Sequence, residues 1–230
     1  MKKIALLFLV QTVFSFAQDF QTPYEKGNGN QTVTYEEMVK YYEKLDQNFE
    51  NISIENFGKD DNGEPIKVVV FTPSKNKDNA AILINNGIHP GEPDGIDASM
   101  LLMRDLAMGK IKTAKNTFIA VIPVYNVGGM LNRNSHSRAN QNGPEEYGFR
   151  GNGRNYDLNR DFIKSDTKNS RSFQQLFSEL KPDIFLDNHV SNGADYQYTF
   201  TCIATQHERL GNKLGNYFIN ELYPSVVNDM

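Results

Sequence analysis

Apolar and polar positions along this chain alternate with two different periods, and each change of period marks an element. Thr34 and Glu37 form a capping-box pair, and Met38, Tyr41, Tyr42 and Leu45 follow at helical spacing, so a helix opens at Thr34. Ile52–Phe57 and Ile66–Phe71 read as strands separated by the turn-forming Asp61-Asn62-Gly63. Ala80–Ile84 is a continuous apolar run, the mark of a strand covered on both faces. Ile96, Met100, Met103 and Leu106 place a helix over about 96–108, and Phe118–Val124 is the next buried strand. From Asn126 to Asp166 the periodicity stops and the chain turns polar and rich in Gly, Asn and Arg; ordered loops of that length are usually functional. Phe173, Leu176, Phe177 and Leu180 restore the helical period. Strands over Asp183–Leu186 and Thr199–Ala204 and a helix over about 207–222 complete the pattern, with Cys202 buried in the last strand. Buried strands alternating with amphipathic helices predict an α/β domain over 34–230, with a mixed, largely parallel central sheet flanked by helices. Residues 18–33, polar and Gly/Asn-rich, predict an exposed leader ahead of it.

Composition narrows this only a little. A length of 230 residues suits one sizeable domain, and 39% hydrophobic and 23% charged residues are ordinary for a globular protein. The formal charge of -4, with no Lys/Arg cluster, argues against a nucleic-acid or acidic-membrane partner. The first seventeen residues change the picture more. Lys2 and Lys3 precede the apolar stretch Ile4–Val10, and Ser15 and Ala17 stand where a signal peptidase needs small side chains. This layout predicts a signal peptide over 1–17, cleaved after Ala17, and an exported protein, periplasmic or extracellular. The run is too short to span a bilayer and Gln11 interrupts it; no later segment approaches that length. Cys202 is the only cysteine, so no intramolecular disulfide forms and stability must come from the core or a metal.

Two histidines stand at strand ends. His89 follows the Ala80–Ile84 run in Asn85-Asn86-Gly87-Ile88-His89-Pro90-Gly91-Glu92, and His189 follows Asp183–Leu186 in Asp187-Asn188-His189. Ligands collect outside the carboxyl ends of strands in α/β sheets, so both can meet in one crevice. Pro90-Gly91 is turn chemistry that can aim His89 and Glu92 at one point. Two imidazoles and a carboxylate make a three-ligand zinc set with an open fourth position. Asp187 and Asn188 are candidate partners for the second nitrogen of His189, which a ligand histidine needs. His136 and His207 read as surface residues.

The long polar segment contains Phe149-Arg150-Gly151-Asn152-Gly153-Arg154-Asn155-Tyr156-Asp157-Leu158-Asn159-Arg160-Asp161-Phe162. With His89 and Glu92 ahead of it and His189 behind, the chain resembles the M14 zinc carboxypeptidases. Pro123-Val124-Tyr125-Asn126-Val127-Gly128-Gly129 also resembles a strand-end motif of that family, although Val127 and Gly128 depart from its proline and aspartate. The resemblance implies one Zn2+ per chain on His89, Glu92 and His189, and a peptide substrate with a free C-terminus. It implies that Asn159 and Arg160 hold the terminal carboxylate, a task for which the guanidinium fork is suited. A further arginine polarises the scissile carbonyl. Arg150 is favoured for that role, because Arg-Gly-Asn ahead of Asp-Leu-Asn-Arg matches bacterial members; Arg138 is the rival. The family's general base, a glutamate, and its substrate-covering tyrosine are expected downstream of residue 230, so the chain reads as an N-terminal part of a longer product and as a monomer. Two other readings stay open: an N-acyl amino acid deacylase of the same fold, and a non-catalytic zinc- or peptide-binding fragment.

Overall fold

The computed structural model describes residues 20–73, 80–191, 193–194 and 196–229; the expected signal peptide lies outside them. The described residues fall into two compact units, divided at Gly193. The first carries a five-stranded sheet in the order β1-β2-β4-β3-β5, from β1 (Ile52–Lys59), β2 (Pro65–Phe71), β3 (Ala80–Asn85), β4 (Thr117–Ile122) and β5 (Ile184–Asp187). β1 and β2 form an antiparallel hairpin over the turn at Asp61-Asn62-Gly63, and β2 pairs antiparallel with β4. β3 pairs parallel with both β4 and β5, so the sheet is mixed, with its parallel part centred on β3.

Strand alternation builds a core on each face, since successive side chains point to opposite sides. Val69, Ile84, Ile119 and Val121 face one cluster, packed with Met38, Tyr42, Leu45, Met100 and Met103. Those residues come from helices α2 (Tyr35–Asn48) and α3 (Asp94–Ala107), which follow a short α1 (Pro23–Lys26). Val68, Leu83, Ala120 and Ile122 face the other cluster, with Phe173 and Leu176 of α5 (Lys168–Leu180). Helix α2 starts where the capping box placed it: Thr34 Oγ1 accepts from the Glu37 N–H, and a Glu37 carboxylate oxygen accepts from the Thr34 N–H at 2.9 Å. β3 is buried fully only at its carboxyl end, Leu83–Asn85, where the loop to His89 departs.

Four expectations need correction. Residues 20–33 are not an exposed leader: Phe20 and Val33 lie in the core, and Thr22 caps α1 through a capping box with Glu25. The segment 126–166 is not devoid of regular structure, since it holds α4 (Val127–Leu131), a bridge between Asn134 and Tyr147, and a 3-10 turn at Leu158–Arg160. In the second unit, Thr199–Ala204 forms no strand; Phe200 and Ile203 are exposed, and Cys202 is half-buried, within 3.9 Å of the Tyr223 hydroxyl. A strand is stabilised by a ladder partner, and no described strand pairs with this one. The expected helix of that unit is segmented. A 3-10 turn at His207–Leu210 stops at Gly211, then helical turns run over Asn212–Tyr217, a π-turn over Phe218–Leu222, and Tyr223–Asp229. Pro224 has no N–H to give its fourth-preceding carbonyl, and the π-turn precedes it. No described helix is long and apolar enough to cross a membrane.

Candidate metal centre

The centre is assembled beyond the carboxyl ends of β3 and β5. Leaving β3, the chain turns through Gly87 at φ +64, a left-handed conformation that a side chain rarely adopts; a Cβ there would also press on Ile96 and Val124. The Glu92 N–H donates to the His89 carbonyl at 2.9 Å, which closes the Pro90-Gly91 turn and brings both side chains to one side. Gly91 has to be small, because an added Cβ would lie 2.7 Å from Arg138 Cδ and 2.8 Å from the Gly148 carbonyl oxygen. The buried Asn126 at the end of β4 ties the loops together, donating to the Ile88 carbonyl at 3.2 Å and the Arg150 carbonyl at 3.0 Å.

His89, Glu92 and His189 meet as the sequence predicted. His89 Nδ1 lies 3.1 Å from one Glu92 carboxylate oxygen, and His189 Nδ1 lies 3.0 Å from the other. Ligand atoms of the three residues all fall within 4.8 Å of one another. His89 and Glu92 are buried, and His189 opens to the surface. The outward nitrogens are also partnered: His89 Nε2 meets Asp157 Oδ1 at 2.9 Å, and His189 Nε2 meets Asp187 Oδ2 at 3.1 Å. Carboxylates behind both imidazoles, with both Nδ1 atoms turned inward, form the outer shell that fixes ligand histidines on a metal. Two nitrogens, one carboxylate and an open side suit Zn2+. The residues present fit the ion.

Charge balance at the centre is shared among neighbours. Burial acts to raise the Glu92 carboxyl, but hydrogen bonds from His189, His89 and the Val190 N–H prevail and hold it well below the carboxylate range. The Asp187 carboxylate first, and Glu92 second, push the His189 imidazole up to about 9 against the effect of burial. Arg138 Nη1 donates to Glu92 Oε1 at 3.0 Å, with only 9% of its side chain exposed. Arg150 is 39% exposed; its Nη1 stands 3.8 Å from Glu92 Oε1, while its Nε and Nη2 both donate to Asp157 Oδ2, at 3.2 and 2.9 Å.

Of the other predicted residues, Asn159 and Arg160 occupy the 3-10 turn that follows Asp157. The Asn159 N–H donates to Asp157 Oδ1, and the exposed Arg160 directs Nη1 to the Asn159 carbonyl at 3.1 Å. Asp187 partners His189 as expected, whereas Asn188 turns away and donates to Asn86 Oδ1 at 2.8 Å. His136 and His207 are exposed. The residue that sequence reasoning left without a role is Asp157, whose one carboxylate touches His89, Arg150 and the Asn159 backbone. Its place at the head of the Asp-Leu-Asn-Arg segment was the available signal.

Fold and donor set together define an α/β protein with a two-histidine, one-carboxylate metal site. The zinc carboxypeptidase family model, Peptidase M14, matches residues 38–207, and the chain belongs to that family. It is similar to Carboxypeptidase 2 of Trichophyton rubrum, at 29% identity over 123 residues, covering 52% of this chain and 20% of that protein. Among solved structures, the fold is similar to carboxypeptidase A from Helicoverpa armigera, with a TM-score of 0.57 and 18% identity over 70% of this chain and 46% of that one. A metallo-carboxypeptidase from Burkholderia cenocepacia gives a TM-score of 0.57 at 15% identity, over 71% and 43%. The match spans about a fifth of the length of the curated relative.

Proposed function

We propose that the protein acts as a zinc-dependent metallocarboxypeptidase, removing C-terminal residues from peptides. The observation that carries this reading is the convergence of His89 Nδ1 and His189 Nδ1 on the two oxygens of Glu92, with Asp157 and Asp187 behind the imidazoles. When bound there, zinc supplies Lewis-acid chemistry, activating a water and polarising a carbonyl. The side chains around it divide the remaining work. Arg138, buried over Gly91 and donating to Glu92, fits the task of neutralising and fixing the ligand carboxylate. Arg150, more exposed and steered by Asp157, would act on a carbonyl oxygen as negative charge develops, and its exposure and steering support it over Arg138 for that role. Arg160 and Asn159 would receive the terminal carboxylate, Arg160 being exposed and donating to a neutral backbone carbonyl, that of Asn159. Lys2, Lys3, the apolar run and Ser15/Ala17 support export of this enzyme.

The test uses the full-length protein with paired hippuryl-type peptides, one ending in a free carboxylate and one amidated. We expect release of the C-terminal residue from the free acid only, loss of that activity on chelation, and recovery with zinc. Equal cleavage of both peptides, or activity that survives complete chelation, would overturn the proposal. Preferential release of acetate from N-acetyl amino acids would move the function to deacylation.

A further inference from the structure

The histidine that comes from β5 needs its imidazole held from behind, and the group that holds it is itself only partly buried. Asp187, whose side chain is 24% exposed, reaches His189 Nε2 with Oδ2. A partly exposed carboxylate two residues from its imidazole has several rotamers open to it. Its other oxygen removes that freedom: Asp187 Oδ1 accepts from Asn85 Nδ2 at 3.0 Å. Asn85 is the last residue of β3, and the parallel register sets it directly beside Asp187. It is fully buried, and its Oδ1 has no hydrogen-bond partner among the described residues. A buried amide with an unsatisfied carbonyl is unfavourable for folding, so an aliphatic residue of the same size would be expected on stability grounds. Among the described residues, the one hydrogen bond of the Asn85 side chain is the donation to Asp187.

The neighbouring pair completes the clamp. Asn188 Nδ2 donates to Asn86 Oδ1, Asn86 Nδ2 donates to Ser99 Oγ, and the Asn188 N–H donates to the Asn85 carbonyl at 3.0 Å. Gly95 leaves the room for this, since a Cβ there would lie 2.6 Å from both Asn188 Cβ and Asn86 Oδ1. The loops bearing His89 and His189 therefore leave the sheet from two successive positions that are tied across strands by side chains.

We propose that Asn85 is a positioning residue for the metal centre: through Asp187 it fixes the orientation of His189, and it is kept for metal affinity at some expense of stability. This rests on the metal-binding reading of His89, Glu92 and His189. The test is zinc affinity of the full-length protein by competition with a chelator, together with the urea midpoint of the metal-free protein. Asn85→Leu should weaken zinc binding about 10- to 100-fold, the usual effect of removing an outer-shell partner. The metal-free urea midpoint should stay level or rise. Asp187→Ala should weaken binding similarly, and the double variant should lose little beyond Asp187→Ala alone, because the two groups act in series. Asn85→Ala gives the same comparison of affinity if the leucine variant fails to fold. Unchanged zinc affinity in the Asn85 variant, or losses that add in full with Asp187→Ala, would overturn the inference. If His189→Ala also left affinity unchanged, the metal-site reading itself would fall; if only the Asn85 variant were silent, the inference alone would.

Discussion

Asp157 serves two side chains with one carboxylate, and its position explains why His89 and the arginine next to it should be read together. Burial acts to raise its carboxyl, but hydrogen bonds from His89 and Arg150 prevail and lower it, so it stays ionised against both. His89 is thereby fixed on its outer side while Arg150 is held at the centre's open edge. Truncating any one of His89, Glu92 or His189 to Ala should reduce bound zinc from about one per chain to near zero after dialysis, since a three-residue set has no spare ligand; elemental analysis reads this directly. In the full-length protein, Arg150→Ala should lower kcat by roughly 10²–10³ with a smaller change in KM, the pattern of a group acting on developing charge. Arg160→Ala should instead raise KM for free-acid peptides, by the roughly 2–5 kcal/mol expected for truncating one partner of a desolvated charge pair. Steady-state kinetics on the two variants separate the roles, and an identical kcat loss in both would refute the division. The candidate ligand set was legible because strand-end histidines and a His-x-x-Glu turn are local patterns, which the Asp-Leu-Asn-Arg segment between them made specific. Asp157 was not, because its partner His89 lies 68 positions away and only the folded loop brings them together.

In the first unit, elements with a period of their own were read to within a residue or two, and elements defined by what they touch were not. Helix α2 carries its start signal and its apolar stripe within fifteen residues, so Thr34, Met38, Tyr42 and Leu45 suffice to place it. Thr34→Ala should lower stability by about 0.5–2 kcal/mol, the cost of an N-cap hydroxyl, measured as a shift in urea midpoint. The segment 20–33 has no such signal. Its apolar side chains are few, and Phe20 is buried by contact with Phe49, at a ring separation of 5.6 Å, and by the surrounding core. An exposed leader would tolerate Phe20→Ala without effect; the packed segment predicts a loss of roughly 3 kcal/mol, the low end for emptying an aromatic core site. Thr199–Ala204 failed in the opposite direction. Its apolar composition is strand-like, but composition carries no information about a ladder partner.

The first unit holds a buried carboxyl that resists ionisation, and this gives the domain a pH dependence whose sign can be worked out. Asp97 on α3 is 6% exposed and accepts from Thr32 Oγ1 at 2.6 Å, while its Oδ1 has no hydrogen-bond partner among the described residues. Arg133, from the loop after α4, donates to the Thr32 and Val33 carbonyls and so reinforces the same junction between residues 32–33 and the domain. Burial pushes the Asp97 carboxyl up from 3.8 to about 6; Asp94 adds to the rise, and the Thr32 hydroxyl, the Val33 backbone and Arg133 oppose it. The folded value therefore lies above the unfolded one. The contribution to stability is fully present below about pH 4 and is lost as pH rises through 6, because the unfolded chain ionises Asp97 freely and the folded chain does so at a cost. A rise of that size corresponds to about 3 kcal/mol between acid and neutral pH. Asp97→Asn keeps the acceptor for Thr32 and cannot ionise, so it stands in for the neutral acid at every pH. Urea unfolding of both proteins from pH 4 to 7.5 should give similar stabilities at the acid end. The variant should then gain on the parent through about pH 4–6 and end about 2–3 kcal/mol ahead. A difference that stays constant across that range would show that Asp97 is ionised in the fold throughout, and that Thr32 and Arg133 hold it as a carboxylate.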